Sequence, residues 1–192
     1  MKCKDKQGAS MKTLETSRLI LRGFSESDLE DTYAYCVDPE VGPNAGWMPH
    51  KNKEETLTII HHFMLNEEVW AIVEKESMKV IGSVGLHADR KRSTPDVKMI
   101  GYVLAKPTWG QGYAVEVVKG VLEYAFEEMK LKMVTVYHYP FNTRSRRVIE
   151  KTGFHYEGML RYSSKLPDGR ITDDVCYSMD VDEYYHLRES KG

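Results

Sequence analysis

Lys106 to Val118 reads KPTWGQGYAVEVV, and the fold turns on how its two glycines are understood. Gly110 and Gly112 stand two apart, behind Trp109, at the mouth of an apolar-periodic run. Glycine inside a helix costs roughly 0.5–1 kcal/mol relative to alanine, so the pair needs a use. Either it makes a tight turn, or it lets the backbone approach an anionic group.

Downstream of Gly112, Val118, Val121, Leu122, Ala125 and Met129 fall at i, i+3, i+4, i+7 and i+11, with Glu116, Lys119, Glu123 and Glu127 opposite. That period predicts an amphipathic helix. VKMIGYVL before the loop and MVTVYHY after the helix are rich in strand formers. Strand, glycine loop, helix and strand make a βαβ unit with parallel strands and a right-handed crossover. Ligands of such units sit beyond the carboxyl ends of the strands, at the helix N-terminus, which is where WGQG lies.

Further out, RLILR (18–22) reads as a strand. Ser25 and Asp28 open a helix to about Val37, and PEVGPNAGWMPHKN (39–52) is a turn-rich loop. Asn52 and Glu55 start a second helix to about Asn66. VWAIVEK and KVIGSVGLH are strands joined near Ser77. NTRSRRVIEKTG is a short helix closed by Gly153, and a hairpin turning at Pro167–Gly169 closes the chain. The order implies an α/β domain built around the parallel βαβ unit.

The 192 residues suit one ordinary domain, expected over 11–192, and MKCKDKQGAS (1–10) reads as a loose extension. A net charge of −2 gives no support to a nucleic-acid surface or a polybasic membrane anchor. No apolar run approaches the ~20 residues of a membrane span. Cys3, Cys36 and Cys176 show no metal-ligand spacing, and a reducing cytoplasm fits them best.

Three anion-binding signatures can be tried on the loop. A P-loop needs G-K-[ST], and Tyr113 and Ala114 follow Gly112. A dinucleotide fingerprint needs a third small residue where Val115 stands, and an acid where His138 and Tyr139 stand. Both fail. The third fits: Trp109-x-x-Gly112-x-Ala114, then Asn142 and Ser145, then Lys151-Thr152-Gly153-Phe154. With LETSRLILR and the G-x-x-x-E-G-x-L-R of Gly153 to Arg161, the chain from about Leu14 to Tyr177 resembles the GCN5-related N-acetyltransferase (GNAT) superfamily. The likeness is to the branch holding the ribosomal-protein N-terminal (RimJ/RimL-like) acetyltransferases. Trp109 stands where most of the superfamily has Gln or Arg.

The resemblance implies an α/β (α+β) fold, with a mixed, largely antiparallel sheet around the parallel βαβ unit and helices on both faces. It also implies transfer of acetyl from acetyl-CoA to a primary amine by direct attack, with no metal and no covalent enzyme intermediate. The amine would be a protein N-terminal α-amine by preference, or a small amine, and homodimerisation is a family-level expectation. The alternative is a catalytically weak acyl-CoA sensor or interaction module. The cofactor would lie on Tyr102, Val103, Leu104, Trp109, Gly110, Gln111, Gly112, Tyr113, Ala114, Asn142, Ser145 and Arg146. Backbone N–H groups from about Val103 to Ala105 would hold the thioester oxygen. Many relatives place a tyrosine acid where this chain has Ile149, and the ribosomal-protein branch points instead to Ser145. The relatives' glutamate bases are missing: Lys98, Met99 and Ile100 precede Gly101, and Ser164 stands in the later strand. His138 is the first candidate base, ahead of His87, Asp89 and Glu157. Trp47 and His50 mark the acceptor region, Trp47 either walling a pocket or covering the core, His50 either a base or exposed loop. Asp173 and Asp174 could meet a cationic acceptor.

Overall fold

The computed structural model describes residues 11–190, so the extension expected at residues 1–10 lies outside the described residues. One sheet holds eight strands: β1 Leu14–Glu15, β2 Leu19–Gly23, β3 Val69–Glu74, β4 Val80–Ala88, β5 Val97–Leu104, β6 Met133–His138, β7 His155–Lys165 and β8 Ile171–Asp180. Their spatial order is β1-β2-β3-β4-β5-β6-β8-β7, with β5 and β6 parallel and every other described pair antiparallel. The helices are α1 Leu29–Cys36, α2 Gly42–Ala45, α3 Lys53–Asn66, α4 Tyr113–Glu123, α5 Thr143–Thr152 and α6 Val181–Glu189. The mixed sheet and its parallel βαβ unit, β5–α4–β6, agree with the reading of the sequence.

Each face of the sheet has its own core. Alternate residues of a strand point to opposite faces, and β3 serves both. Trp70 and Ile72 belong to the core shared with α4, α5 and α6, while Val69, Ala71 and Val73 belong to the core shared with α1 and α3. That double burial is why VWAIV is an unbroken apolar run. On α4, Val117, Val118, Val121 and Leu122 are all at most 3% exposed, each burial worth about 1.5–3 kcal/mol.

Three elements depart from the sequence reading. After Glu123 the helix widens into one π-turn, Tyr124–Glu128, with the Met129 N–H donating to the Tyr124 carbonyl. The extra residue per turn shifts the phase, so Phe126 enters the core and Met129 is 38% exposed. The expected 39–52 loop contains α2, with Pro43 in its first turn and Gly46 ending it at φ 90°. Finally α6, opened by the reciprocal Asp180–Glu183 cap, has no counterpart in the sequence reading. The expected caps elsewhere are present: Asn52 accepts from the Glu55 N–H at 2.9 Å, and Gly153 ends α5 at φ 91°.

Candidate active site

The parallel pair β5–β6 holds register only at Val97–Met133, Lys98–Val134 and Met99–Thr135. Beyond that point both strands continue, to Leu104 and His138, without pairing. The sheet is split there, and a cleft of about 730 Å³ follows the split, lined from β5 by Ile100–Leu104 and from β6 by Val136–His138. The split exposes backbone. In the β4–β5 ladder Ala105 donates to the Ile81 carbonyl at 2.8 Å, and Ser83–Val103 keeps the same register. Alternation then turns the N–H groups of Tyr102 and Leu104 away from β4, towards the gap. The expected donor set narrows accordingly: Val103 and Ala105 are committed to β4, and Leu104 is the residue whose N–H faces the opening. The Leu104 carbonyl accepts from the Trp109 indole at 2.9 Å, so Trp109 closes the end of β5.

The glycine loop opens onto one end of this cleft. Gly110 and Gly112 have φ 79° and 82°, the left-handed region that disfavours a side chain, and a Cβ on Gly110 would meet nothing within 4 Å. The first turn of α4 leaves its N–H groups without helical acceptors, at the positive end of the helix dipole. The loop is braced from the turn between β1 and β2. The Glu116 carboxylate accepts from the Thr16 hydroxyl at 2.6 Å and from the Arg18 N–H and Nε at 2.8 Å each, and Arg18 also donates to the Gln111 carbonyl at 3.0 Å. Burial raises the Glu116 pKa, but these bonds outweigh it and hold the carboxyl below its ordinary range.

Arg144, Arg147 and Lys151, on one face of α5, line the same end of the cleft, and the Arg144 guanidinium lies 4.0 Å over the Trp109 ring. Arg146, the expected cofactor arginine, is not among the lining residues. It turns outward and pairs with Glu150 at 2.8 Å. The phase of α5 decides this, because 144, 147 and 151 share a face that 146 and 150 do not. Gln111 also leaves the cleft: its amide donates to the Pro107 carbonyl at 3.0 Å. Trp109, Gly110, Gly112, Tyr113 and Ala114 remain in the lining. An open glycine turn, a helix N-terminus and three cations fit a polyphosphate such as the diphosphate of acetyl-CoA.

Where α5 meets the split, Asn142 caps the helix by accepting from the Ser145 N–H at 3.1 Å. Its amide donates to the Asn44 carbonyl at 2.9 Å, which joins α2 to the α5 side of the cleft. The Ser145 hydroxyl lies 3.0 Å from that of Tyr102. Burial pushes Tyr102 up to about 12, with the bond to Ser145 pulling the other way. Ile149 is 1% exposed and carries only packing. His138 is 6% exposed, and its Nδ1 donates to the Tyr139 carbonyl at 2.8 Å, so Nε2 holds the lone pair. That Nε2 is buried and has no partner among the described residues. Burial, reinforced by Arg146, lowers the His138 pKa against weaker opposing contributions from the Tyr139 carbonyl and Glu150.

The opposite sheet face supplies a second groove. Ser83, Gly85 and His87 of β4 lie opposite Val103, Gly101 and Met99 of β5, and these form its floor. Trp47 and Phe63 stand on one side; Tyr137, Tyr139 and Arg90 stand on the other. Trp47 packs on the α1–α3 core and also lines the cleft. His50 does not line the cleft. Its Nδ1 bonds the Thr56 hydroxyl at 2.8 Å and its N–H donates to the Cys36 carbonyl, which makes it a brace of the loop.

The other candidate bases are occupied. Asp89 accepts from the Tyr137 hydroxyl at 2.7 Å, from the Thr135 hydroxyl, and from the N–H groups of Lys91 and Arg92. Glu157 takes Arg92 at 2.6 Å, and His87 faces Glu68 at 3.3 Å. Asp174, fully buried, accepts from Lys91 at 2.7 Å and from Ser164 at 2.9 Å; Asp173 accepts from the Tyr162 N–H at 2.8 Å. Neither aspartate lines the cleft.

The sequence reading missed Arg144, Arg147 and Lys151 as lining residues, although their 3- and 4-residue spacing on one helix face was a usable signal. Arg18 and Glu116, 98 positions apart, gave none.

Comparison with known proteins agrees with this architecture. The acetyltransferase (GNAT) domain family matches residues 18–155. The uncharacterized N-acetyltransferase p20 of Bacillus licheniformis is 30% identical over 182 residues, 91% of this chain and 99% of its own length. The GNAT-family acetyltransferase from Bacillus anthracis superposes with a TM-score of 0.81 at 24% identity, covering 89% of this chain and 99% of that one. The ribosomal-protein-S5-alanine acetyltransferase from Vibrio fischeri shares the fold with a TM-score of 0.70 at 21% identity, covering 90% and 98%. With its split parallel pair and open glycine turn, the chain belongs to the GNAT family of acetyltransferases, enzymes that use acetyl-CoA.

Proposed function

We propose that this acetyltransferase passes the acetyl group directly to a primary amine in a ternary complex, with a peptide N-terminal α-amine as the preferred acceptor. The observation that carries the reading is the split between β5 and β6, which joins the glycine-loop end of the cleft to the groove on the other sheet face. Acetyl-CoA, bound with its phosphates at the loop, supplies the activated acetyl group. Everything else falls to the chain.

Gly110, Gly112 and the α4 N-terminus hold the phosphates, with Arg144, Arg147 and Lys151 beside them. The Leu104 N–H donates to the oxygen on which negative charge develops, an interaction whose loss typically costs about 2.7–4 kcal/mol of barrier. His138 Nε2 takes the proton that the attacking amine must shed. Ser145, backed by the Tyr102 hydroxyl, gives a proton to the departing sulfur. Neither cysteine among the described residues takes part: Cys36 and Cys176 are buried, and burial lifts the Cys36 thiol to about 12.

A lowered His138 pKa favours the acceptor that needs least help. An α-amine with a pKa near 7.7–8 is roughly one-tenth free at pH 7, whereas a lysine-type amine near 10.4 is only about 0.04% free. The test is thiol release from acetyl-CoA with three acceptors: a short peptide with a free α-amine, the same peptide with that amine blocked, and a polyamine. Turnover should follow the free α-amine. Equal rates with the blocked peptide, or a preference for the polyamine, would remove the proposed acceptor class.

A further inference from the structure

The chain carries 29 acidic residues, yet no Asp or Glu lines the cleft among the described residues. The titratable side chains that do line it, tyrosines aside, are Arg144, Arg147 and Lys151 at the phosphate end, His138, and Arg90 and His87 in the groove. The phosphates account for the first three. Arg90, in the groove, is left to be accounted for.

Arg90 sits on the loop after β4, over the Tyr137 ring at 5.4 Å. Its contact with buried Asp174 is long, 3.3 Å, and Asp174 is already served by Lys91 at 2.7 Å and Ser164 at 2.9 Å. Lys91 and Ser164 thus hold Asp174 at shorter range than Arg90 does, and the Arg90 guanidinium stays 46% exposed at the groove. The groove floor beside it is bare: a Cβ on Gly101 would meet nothing within 4 Å. The nearest acid at the far end, Glu68, is engaged by His87 at 3.3 Å and Lys98 at 3.8 Å. A polycationic acceptor would find no counter-charge in this groove and would meet Arg90.

We infer that Arg90 reads an anionic group on the acceptor, so that the favoured substrate is an α-amine whose own chain carries a carboxylate close by. This rests on the α-amine reading above and narrows it to acidic amines. An acidic peptide and a small amino acid present the same chemistry, and separate arms of the experiment distinguish them.

The measurement is kcat/KM, by thiol release, for three blocked-C-terminus tripeptides that differ only at the second residue, Asp, Asn or Lys. Free glutamate and its diamide form a second arm. The Asp peptide should exceed the Asn peptide by roughly tenfold, the size expected of one charge-assisted contact, with the Lys peptide lowest. In Arg90→Ala the Asp-to-Asn ratio should collapse towards one, and in Arg90→Glu the order of Asp and Lys should reverse. A ratio is read because a variant that merely folds less well lowers every rate alike. Equal rates for Asp and Asn peptides in the natural enzyme overturn the proposal, as does a ratio that survives Arg90→Ala. Turnover of glutamate alone, sensitive to Arg90, keeps the proposal and removes the peptide reading. No turnover of any acidic amine, with a neutral or basic amine accepted instead, overturns it.

Discussion

The hydroxyl oxygens of Tyr102 and Ser145 lie 3.0 Å apart across the seam between β5 and α5. Tyr102, lifted to about 12 by burial, stays protonated through the neutral range and can refill or orient the serine hydroxyl. Ile149, one turn further along α5, is buried in the core and has no proton to give. Ser145→Ala should lower kcat by about 10²-fold, the scale of one general acid. Tyr102→Phe should lower it less, and the double variant should be no worse than Ser145→Ala, because groups acting as a unit are not additive. Acetyl-CoA affinity, measured by equilibrium titration, should change little in all three. Strictly additive losses in kcat would show that the two hydroxyls act independently.

Gly112 has φ 82° at the entrance to α4, with Arg18 Nη2 only 3.6 Å from where a Cβ would stand. Gly112→Asp adds backbone strain and a negative charge at the helix entrance, where it competes for Arg18 and disturbs the loop, while leaving the core of α4 untouched. Aspartate is among the residues that tolerate this region best, so the fold should persist. The natural protein should gain about 2.7 kcal/mol of stability at an acetyl-CoA concentration 100 times its dissociation constant. The variant should gain almost none. Thermal unfolding with and without acetyl-CoA measures this directly, and an undiminished shift would mean that the loop does not hold the phosphates.

Much of this site could be read from the chain before folding, and the missing parts share a cause. The β5–α4–β6 unit was legible because period and glycine spacing are local. The split was not, since Ile100–Leu104 and Val136–His138 look as strand-like in sequence as the paired residues before them. Choosing among Arg144, Arg146 and Arg147 required the phase of α5, which the Arg146–Glu150 pair marks after the fact. The groove on the far face is assembled from the segment after α2, β4, β5 and the loop carrying Arg90, distant parts of the chain, so the sequence marks Trp47 without placing it and leaves open whether His50 faces the groove or braces the loop. The π-turn misplaced Met129 because a single extra residue per turn leaves no mark in an apolar pattern.

Glu116 takes bonds from Thr16, Ser17 and Arg18, which ties the glycine loop to the start of β2. It touches no lining residue of the groove, so its effect should be confined to the phosphate end. Glu116→Gln keeps the size but loses the ion pair with Arg18, which is 2.7 Å away. KM for acetyl-CoA should rise several-fold with kcat and the acceptor KM little changed, and overall stability should fall by only about 1 kcal/mol, given the exposure of Arg18. Steady-state kinetics with each substrate varied in turn separates these quantities. A fall in kcat with an unchanged KM for acetyl-CoA would argue against a positioning role.

The lowered pKa of His138 gives a pH dependence with a definite sign. Its folded-state value lies below the unfolded value of about 6.5, so both states are neutral above that pH and the histidine adds no slope there. As the pH falls through 6.5 the unfolded chain binds a proton that the folded protein refuses, and stability drops until the folded-state value is passed. His50, also lowered chiefly by burial, contributes with the same sign, so the difference between the natural protein and His138→Gln is the informative quantity. Urea unfolding between pH 7.5 and about 5 should show a smaller loss in the variant. Activity should follow the same residue: kcat/KM, corrected for the free fraction of the amine, should stay flat above 6.5 and fall only below it, where His138 itself takes up the proton. His138→Gln should abolish that acid limb and lower the plateau by about 10²-fold. An acid limb unchanged in the variant would assign the base to another group, whatever the stability data show.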